Sequence, residues 1–164
     1  MSDLLYLNEK DSFGIEIKEE MVNKIYAMCK NSFPKETGGI LIGKYSSDLK
    51  WAQISIVTGA PLDSRSGRTW FHRGTNGLQQ LLDEVWEREG SFYLGEWHYH
   101  PGGTPIPSTQ DIIEMKKISR NKTYNCPEPI LIIAGNTSTY DWHLGVYIFN
   151  ESQKSISLRL INMK

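Results

Sequence analysis

The 164-residue chain has no basic excess: 18 Lys and Arg stand against 19 Asp and Glu, for a formal net charge of −1. Proteins that neutralise phosphates carry such an excess, so no nucleic acid partner is expected. Long apolar runs are missing too. "ILIIAG" at 130–135 falls far short of the roughly 20 residues that span a bilayer, so no membrane partner is expected. The N-terminal "MSDLLYLNEKDSF" has no positive region ahead of an apolar run, which argues against a signal peptide and for the cytoplasm. Cysteine is scarce: Cys29 and Cys126 lack CxxC spacing and are expected to be reduced, forming neither a structural zinc site nor a redox pair. No repeat, low-complexity tract or Pro/Gly/Ser linker divides the sequence. Residues 1–164 therefore read as one domain with one core.

What is present is an ordinary globular balance, 39% hydrophobic and 23% charged. "FGIEI" (13–17) alternates like a strand, and 18–33 carries Met21, Ile25, Met28 and Cys29 at helical spacing. "GGILIGKY" (38–45) and "WAQISIVTGAP" (51–61) predict a strand pair, and "TWFHR" (69–73) a short strand. Residues 74–90 predict a helix with a core stripe of Leu78, Leu81, Leu82, Val85 and Trp86, ended by Gly90. Strands are expected at 91–100, 128–136, 139–150 and 154–163, and a helix at 108–119 with Ile112, Met115 and Ile118 inward. Interleaved strands and helices give an α/β or α+β domain.

The chemistry concentrates in "GEWHYHPGGTPIPSTQD" (95–111). Residues two apart on a strand point the same way, about 6.6–6.8 Å apart along it, so His98 and His100 share a face and Trp97 and Tyr99 the other. Two imidazoles so placed can converge on one metal ion. Ser108 suits an N-cap with Asp111 at the third helical position, and Ser-x-x-Asp is by itself a common capping signature. If the turn brings that helix start over the strand end, Asp111 adds an oxygen to the two nitrogens. Three protein ligands with a fourth position for water is the catalytic zinc pattern. Such a site needs a base. Glu96 lies on the same strand face, and Glu36 precedes a strand that can pair beside the first. Spacing alone does not choose between them.

Glu36 followed by "TGGILIG", then "HYHP" (98–101), Ser108 and Asp111, resembles the JAMM (MPN+, JAB-type) zinc metalloprotease motif. Six residues separate Pro101 from Ser108 and ten separate His100 from Asp111, as that motif requires. The resemblance implies a curved central mixed β-sheet packed by helices, with cytidine-deaminase-like layering. It implies one Zn2+ per chain on His98, His100 and Asp111, and a catalytic water polarised by Glu36. Ser108 would hydrogen-bond the oxyanion, and Glu96 would stand behind the ligands, orienting an imidazole. The fuller phrase resembles a narrower bacterial group found beside cyclic-nucleotide anti-phage (CBASS) genes. There the JAB-type enzyme is a deubiquitinase-like isopeptidase that removes a cGAS-like nucleotidyltransferase's C-terminus from lysines. The expected partner is thus a protein conjugate carrying the tail of a ubiquitin-like protein or of such a nucleotidyltransferase.

Three other readings compete. A JAB-type peptidase that trims a ubiquitin-like sulfur-carrier protein shares every catalytic residue. A non-catalytic MPN-type scaffold typically lacks ligands that are all present here. A zinc nucleoside deaminase needs a Pro-Cys-x-x-Cys pair, and "NCPEP" offers only Cys126. His72 and His143 match no motif position and read as packed or surface residues. Gly38 and Gly39 suit either close approach of a substrate backbone or a turn into a strand. Gly102 and Gly103 read as a flexible loop at a cleft rim.

Overall fold

A computed structural model describes residues 2–150 and 155–163. The first strand is β1 (Asp3–Leu7), which the sequence reading did not foresee, followed by β2 (Gly14–Lys18), α1 (Glu19–Ser32), β3 (Thr37–Tyr45) and β4 (Trp51–Val57). A two-stranded hairpin of β5 (Arg65–Ser66) and β6 (Phe71–His72) precedes α2 (Leu78–Glu89) and β7 (Phe92–His100). Then come α3 (Thr109–Arg120), β8 (Ile130–Asn136), β9 (Trp142–Ile148) and β10 (Ile156–Met163). Lys154, where the last strand was expected to begin, lies outside the described residues. Among those residues no helix is long and apolar enough to cross a membrane.

The mixed α/β architecture is as expected, and the curved sheet closes on itself. Its strands run β1-β10-β9-β8-β7-β3-β4-β2, and β2 returns to β1, closing a barrel. β2–β4 and β7–β8 are parallel and the other barrel pairs antiparallel. Closure leaves no free edge in this sheet. The apolar alternation along the strands accordingly fills two cores rather than one. Ile130, Ile132 and Ala134 of β8 join Leu94, Trp97 and Tyr99 of β7 inside, together with Val22, Ile25 and Cys29 of α1. Leu131 and Ile133 face the other way, with Ile40, Ile42 and Tyr93, against Val85 of α2 and Met115 and Ile118 of α3.

The α2 stripe is therefore only partly core. Val85 is fully buried, but Trp86 is 61% exposed. It lines a groove of about 500 Å³ with Leu78, Leu82, Phe92 and Tyr93.

Two glycines carry the close approaches that position the site. In β3, Gly39 lies against Thr58, whose hydroxyl accepts the Ile40 amide at 2.9 Å and whose carbonyl accepts the Trp97 indole N–H at 2.8 Å. A Cβ on Gly39 would collide with that carbonyl, so this glycine serves the chain's own backbone. In β7, Gly95 adopts φ 154° beside the Ile130 carbonyl, at a register shift opposite Leu41 and Ile42. The bulge resets the alternation. Tyr93 and Glu96, three apart, consequently emerge on the same outer face as His98 and His100.

Gly39→Ala should cost about 1–3 kcal/mol through overpacking, lowering the urea midpoint with little change in slope. An unchanged midpoint would contradict the close strand contact.

Candidate active site

β7 and α3 bring the two ends of the 95–111 stretch together. β7 runs parallel to β8, so the chain between them must cross over, and α3 makes that crossover. The turn after Pro101 brings the start of α3 back over the end of β7. Ser108 then caps the helix: its Oγ accepts the Asp111 amide at 3.1 Å, and its own amide donates to Asp111 Oδ2 at 2.8 Å. The capping box and the site share one carboxylate. Asp111 Oδ1 lies 2.8 Å from His98 Nδ1, and Oδ2 lies 3.1 Å from His100 Nε2. Because Ser108 Oγ accepts from the helix, its hydroxyl proton is free to be donated elsewhere.

Glu36 sits one residue before β3. Register places Thr37 opposite Tyr99 and Gly38 opposite His98, which carries Glu36 to the His100 end of β7. Its amide donates to the Gly67 carbonyl at 2.9 Å, and its carbonyl accepts the Ser32 hydroxyl at 3.3 Å. The end of α1 and the β5–β6 hairpin thus hold its main chain from two sides.

Electrostatics tie these groups into one cluster. Burial is the main cause raising the Glu36 carboxyl above its usual pKa; Asp111 adds to this, while His100 and His98 oppose it. Burial would also raise Asp111, but hydrogen bonds from His100, His98 and the Ser108 amide outweigh it and hold the carboxyl far below the usual range. For His100, burial acts to lower the pKa. The hydrogen bond and charge of Asp111, with help from Glu36 and the Thr104 main chain, leave it raised. Two imidazoles, a carboxylate kept ionised, a second carboxylate and a free hydroxyl together suit metal binding and acid–base hydrolysis.

Glu96 departs from the role expected of it. It is buried, and its oxygens take Arg73 Nε and the Tyr93 hydroxyl, both at 2.7 Å, rather than a ligand imidazole. A hydrogen bond with the Thr104 main chain contributes to the raised pKa of His100. Phe71 stands edge-on to His98, with ring centroids 5.6 Å apart and planes at 78°. Neither Thr104 nor Phe71 has a signature in the sequence, because one reaches the site through the course of a loop and the other through a two-residue strand outside the barrel.

The other candidates separate cleanly. Cys29 and Cys126 are buried free thiols, and burial pushes Cys126 up to about 12. His72 is exposed, and His143 Nε2 pairs with Asp141 at 2.8 Å on the surface. The loop of Gly102 and Gly103 is tied down: Gly103 N–H donates to the His100 carbonyl at 3.1 Å, and the Tyr147 hydroxyl to the Pro105 carbonyl at 2.7 Å.

Comparison with known proteins shows the family. The family model for prokaryotic homologs of the JAB domain matches residues 18–146. A curated protein of Enterobacter hormaechei subsp. hoffmannii (strain UCI 50), named CD-NTase/cGAS isopeptidase, is 38% identical over 97% of this chain and 88% of its own. One of the same name from Escherichia coli (strain TW11681) is 29% identical over 68% of this chain and 72% of its own. The solution structure of protein DSY2949 from Desulfitobacterium hafniense has the same fold, with a TM-score of 0.60 at 17% identity over 88% of each chain. With the matched segment spanning Glu36, both histidines, Ser108 and Asp111, the chain belongs to the family of prokaryotic homologs of the JAB domain.

Proposed function

We propose that this protein is a zinc-dependent isopeptidase of the CBASS type. It hydrolyses the bond joining the C-terminus of a conjugated cGAS-like nucleotidyltransferase to a target lysine, in the cytoplasm. The observation that carries this reading is the Asp111 carboxylate lying 2.8 Å from His98 and 3.1 Å from His100 beside a second carboxylate, Glu36. The name and coverage of the Enterobacter relative support the substrate.

The residues fit zinc. Bonds of about 2.0–2.1 Å in a tetrahedral site set neighbouring donor atoms about 3.3–3.4 Å apart. The His100–Asp111 separation of 3.1 Å is close to this, and the His98–Asp111 separation of 2.8 Å is about half an ångström shorter. Two imidazoles and a carboxylate, the donor types zinc takes in catalytic sites, support one zinc per chain held by His98, His100 and Asp111. The chemistry bound zinc supplies is Lewis acidity, which polarises a carbonyl and lowers the pKa of water to about 7. Glu36 takes the proton of the attacking water and returns it to the departing lysine amine. Ser108 donates a hydrogen bond from its hydroxyl to the carbonyl oxygen as charge develops there. The hydrogen bond between His100 and the Thr104 main chain supports the orientation of that ring.

A defined lysine conjugate of a nucleotidyltransferase C-terminus, incubated with the purified protein, tests the reading. Cleavage should stop with chelator and return with one equivalent of zinc; activity surviving complete metal removal contradicts it. Glu36→Gln should retain zinc while kcat falls about 10²–10⁴-fold, the usual scale of general acid–base catalysis. Ser108→Ala should lower kcat about 10²–10³-fold. The same change should lower stability by about 1 kcal/mol through the lost cap. Ser108→Asn, which can still cap, should recover the stability and leave kcat low; recovery of both would make the residue purely structural.

A further inference from the structure

The Arg73–Glu96 ion pair plays no part in the reaction described above, yet it is the most completely buried charge pair among the described residues. The side chains are 12% and 3% exposed. Every hydrogen-bonding atom is used: Arg73 Nε reaches Glu96 at 2.7 Å, Nη1 the Gly74 carbonyl at 2.8 Å and Nη2 the Tyr124 hydroxyl at 2.9 Å. The remaining Glu96 oxygen takes the Tyr93 hydroxyl at 2.7 Å. An apolar pair of similar volume often stabilises a fold as well as a buried ion pair does, so stability alone gives little reason for this one.

Its location supplies another reason. Arg73 immediately follows β6, and Glu96 lies two residues before His98 on β7. The chain leaves the barrel after β4 and returns at α2, and Arg73 is where this excursion is fastened to the strand that carries the imidazoles. Just beyond, Asp63 accepts the amides of Thr75 at 3.1 Å and Asn76 at 2.9 Å, closing the excursion on itself. Between these fastenings the hairpin touches the site twice. The Gly67 carbonyl holds the Glu36 amide at 2.9 Å, and the Phe71 ring stands against His98.

We propose that Arg73 and Glu96 are positioning residues: their ion pair sets the hairpin at the height where Gly67 fixes the Glu36 main chain and Phe71 fixes the ring of His98. This rests on the reading of Glu36 and His98 as reactive-centre residues. Neither Arg73 nor Glu96 touches substrate or metal. Without the pair, the hairpin keeps its own turn but loses its fixed distance from β7, and the base drifts relative to the imidazoles.

The test uses the full chain carrying Arg73→Met with Glu96→Leu, which fills the same space without charge. Amide exchange is measured on metal-free protein, and kcat and KM on the zinc-loaded enzyme with the lysine conjugate. The Glu36 amide should exchange about 10-fold faster or more, while amides of β8 keep wild-type protection. kcat should fall about 10-fold or more with KM within about threefold, since small misplacement of a base has costs of that order or larger. If the double variant does not fold, Glu96→Gln, which keeps the shape and removes the charge, should shift both readouts in the same direction. A folded variant with wild-type exchange at Glu36 and wild-type kcat overturns the proposal. If the wild-type enzyme cleaves no conjugate, the functional reading fails, and exchange at Glu36 still decides whether the pair positions the hairpin.

Discussion

The Asp111 carboxylate answers to a helix and to a strand at once. One oxygen accepts the Ser108 amide at 2.8 Å, as a capping box requires, and the two oxygens together reach both imidazoles of β7. The carboxylate cannot turn toward one partner without leaving the other. Helix initiation and assembly of the candidate metal site are therefore one event. This removes the conflict between capping and chemistry that Ser-x-x-Asp poses in the sequence, since the same hydrogen bonds serve both. It also explains why the crossover loop is pinned to β9 through Tyr147 and Pro105, because a loose loop would let the helix start wander from the strand end.

The second constraint is the face on which everything is displayed. The barrel interior is filled by Trp97 and Tyr99, so His98 and His100 must face outward, where α3 crosses. The bulge at Gly95 brings Tyr93 and Glu96 onto that face as well, and with them the anchor for Arg73. Two strands and a hairpin thus deliver Glu36, the imidazoles and their supports to one end of the sheet. The parallel pair β7–β8, with its crossover helix, puts this at the carboxyl ends of the strands, where α/β proteins commonly hold their sites.

Local spacing made most of the site legible in the sequence. His98 and His100 fall two apart on a strand, and Ser108 and Asp111 three apart at a helix start, so each pair's geometry follows from one element. Glu36 was harder: nothing local separates it from Glu96, and only the resemblance to the JAMM motif favoured it. The register of β3 on β7 and the pairing of Glu96 with Arg73 are long-range facts. Barrel closure escaped for the same reason, because β1 is short and its pairing with β10 joins opposite ends of the chain. Trp86 was misplaced because helical periodicity reports which residues share a stripe. It does not report whether a neighbouring element comes close enough to cover it.

X-ray absorption at the zinc edge of the metal-loaded protein bears most directly on the central claim. The account predicts four nitrogen or oxygen neighbours at about 2.0–2.1 Å, two of them with the scattering pattern of imidazole, and loss of this shell in Asp111→Ala. A shell containing sulfur at about 2.3 Å, or one unchanged by Asp111→Ala, would contradict it.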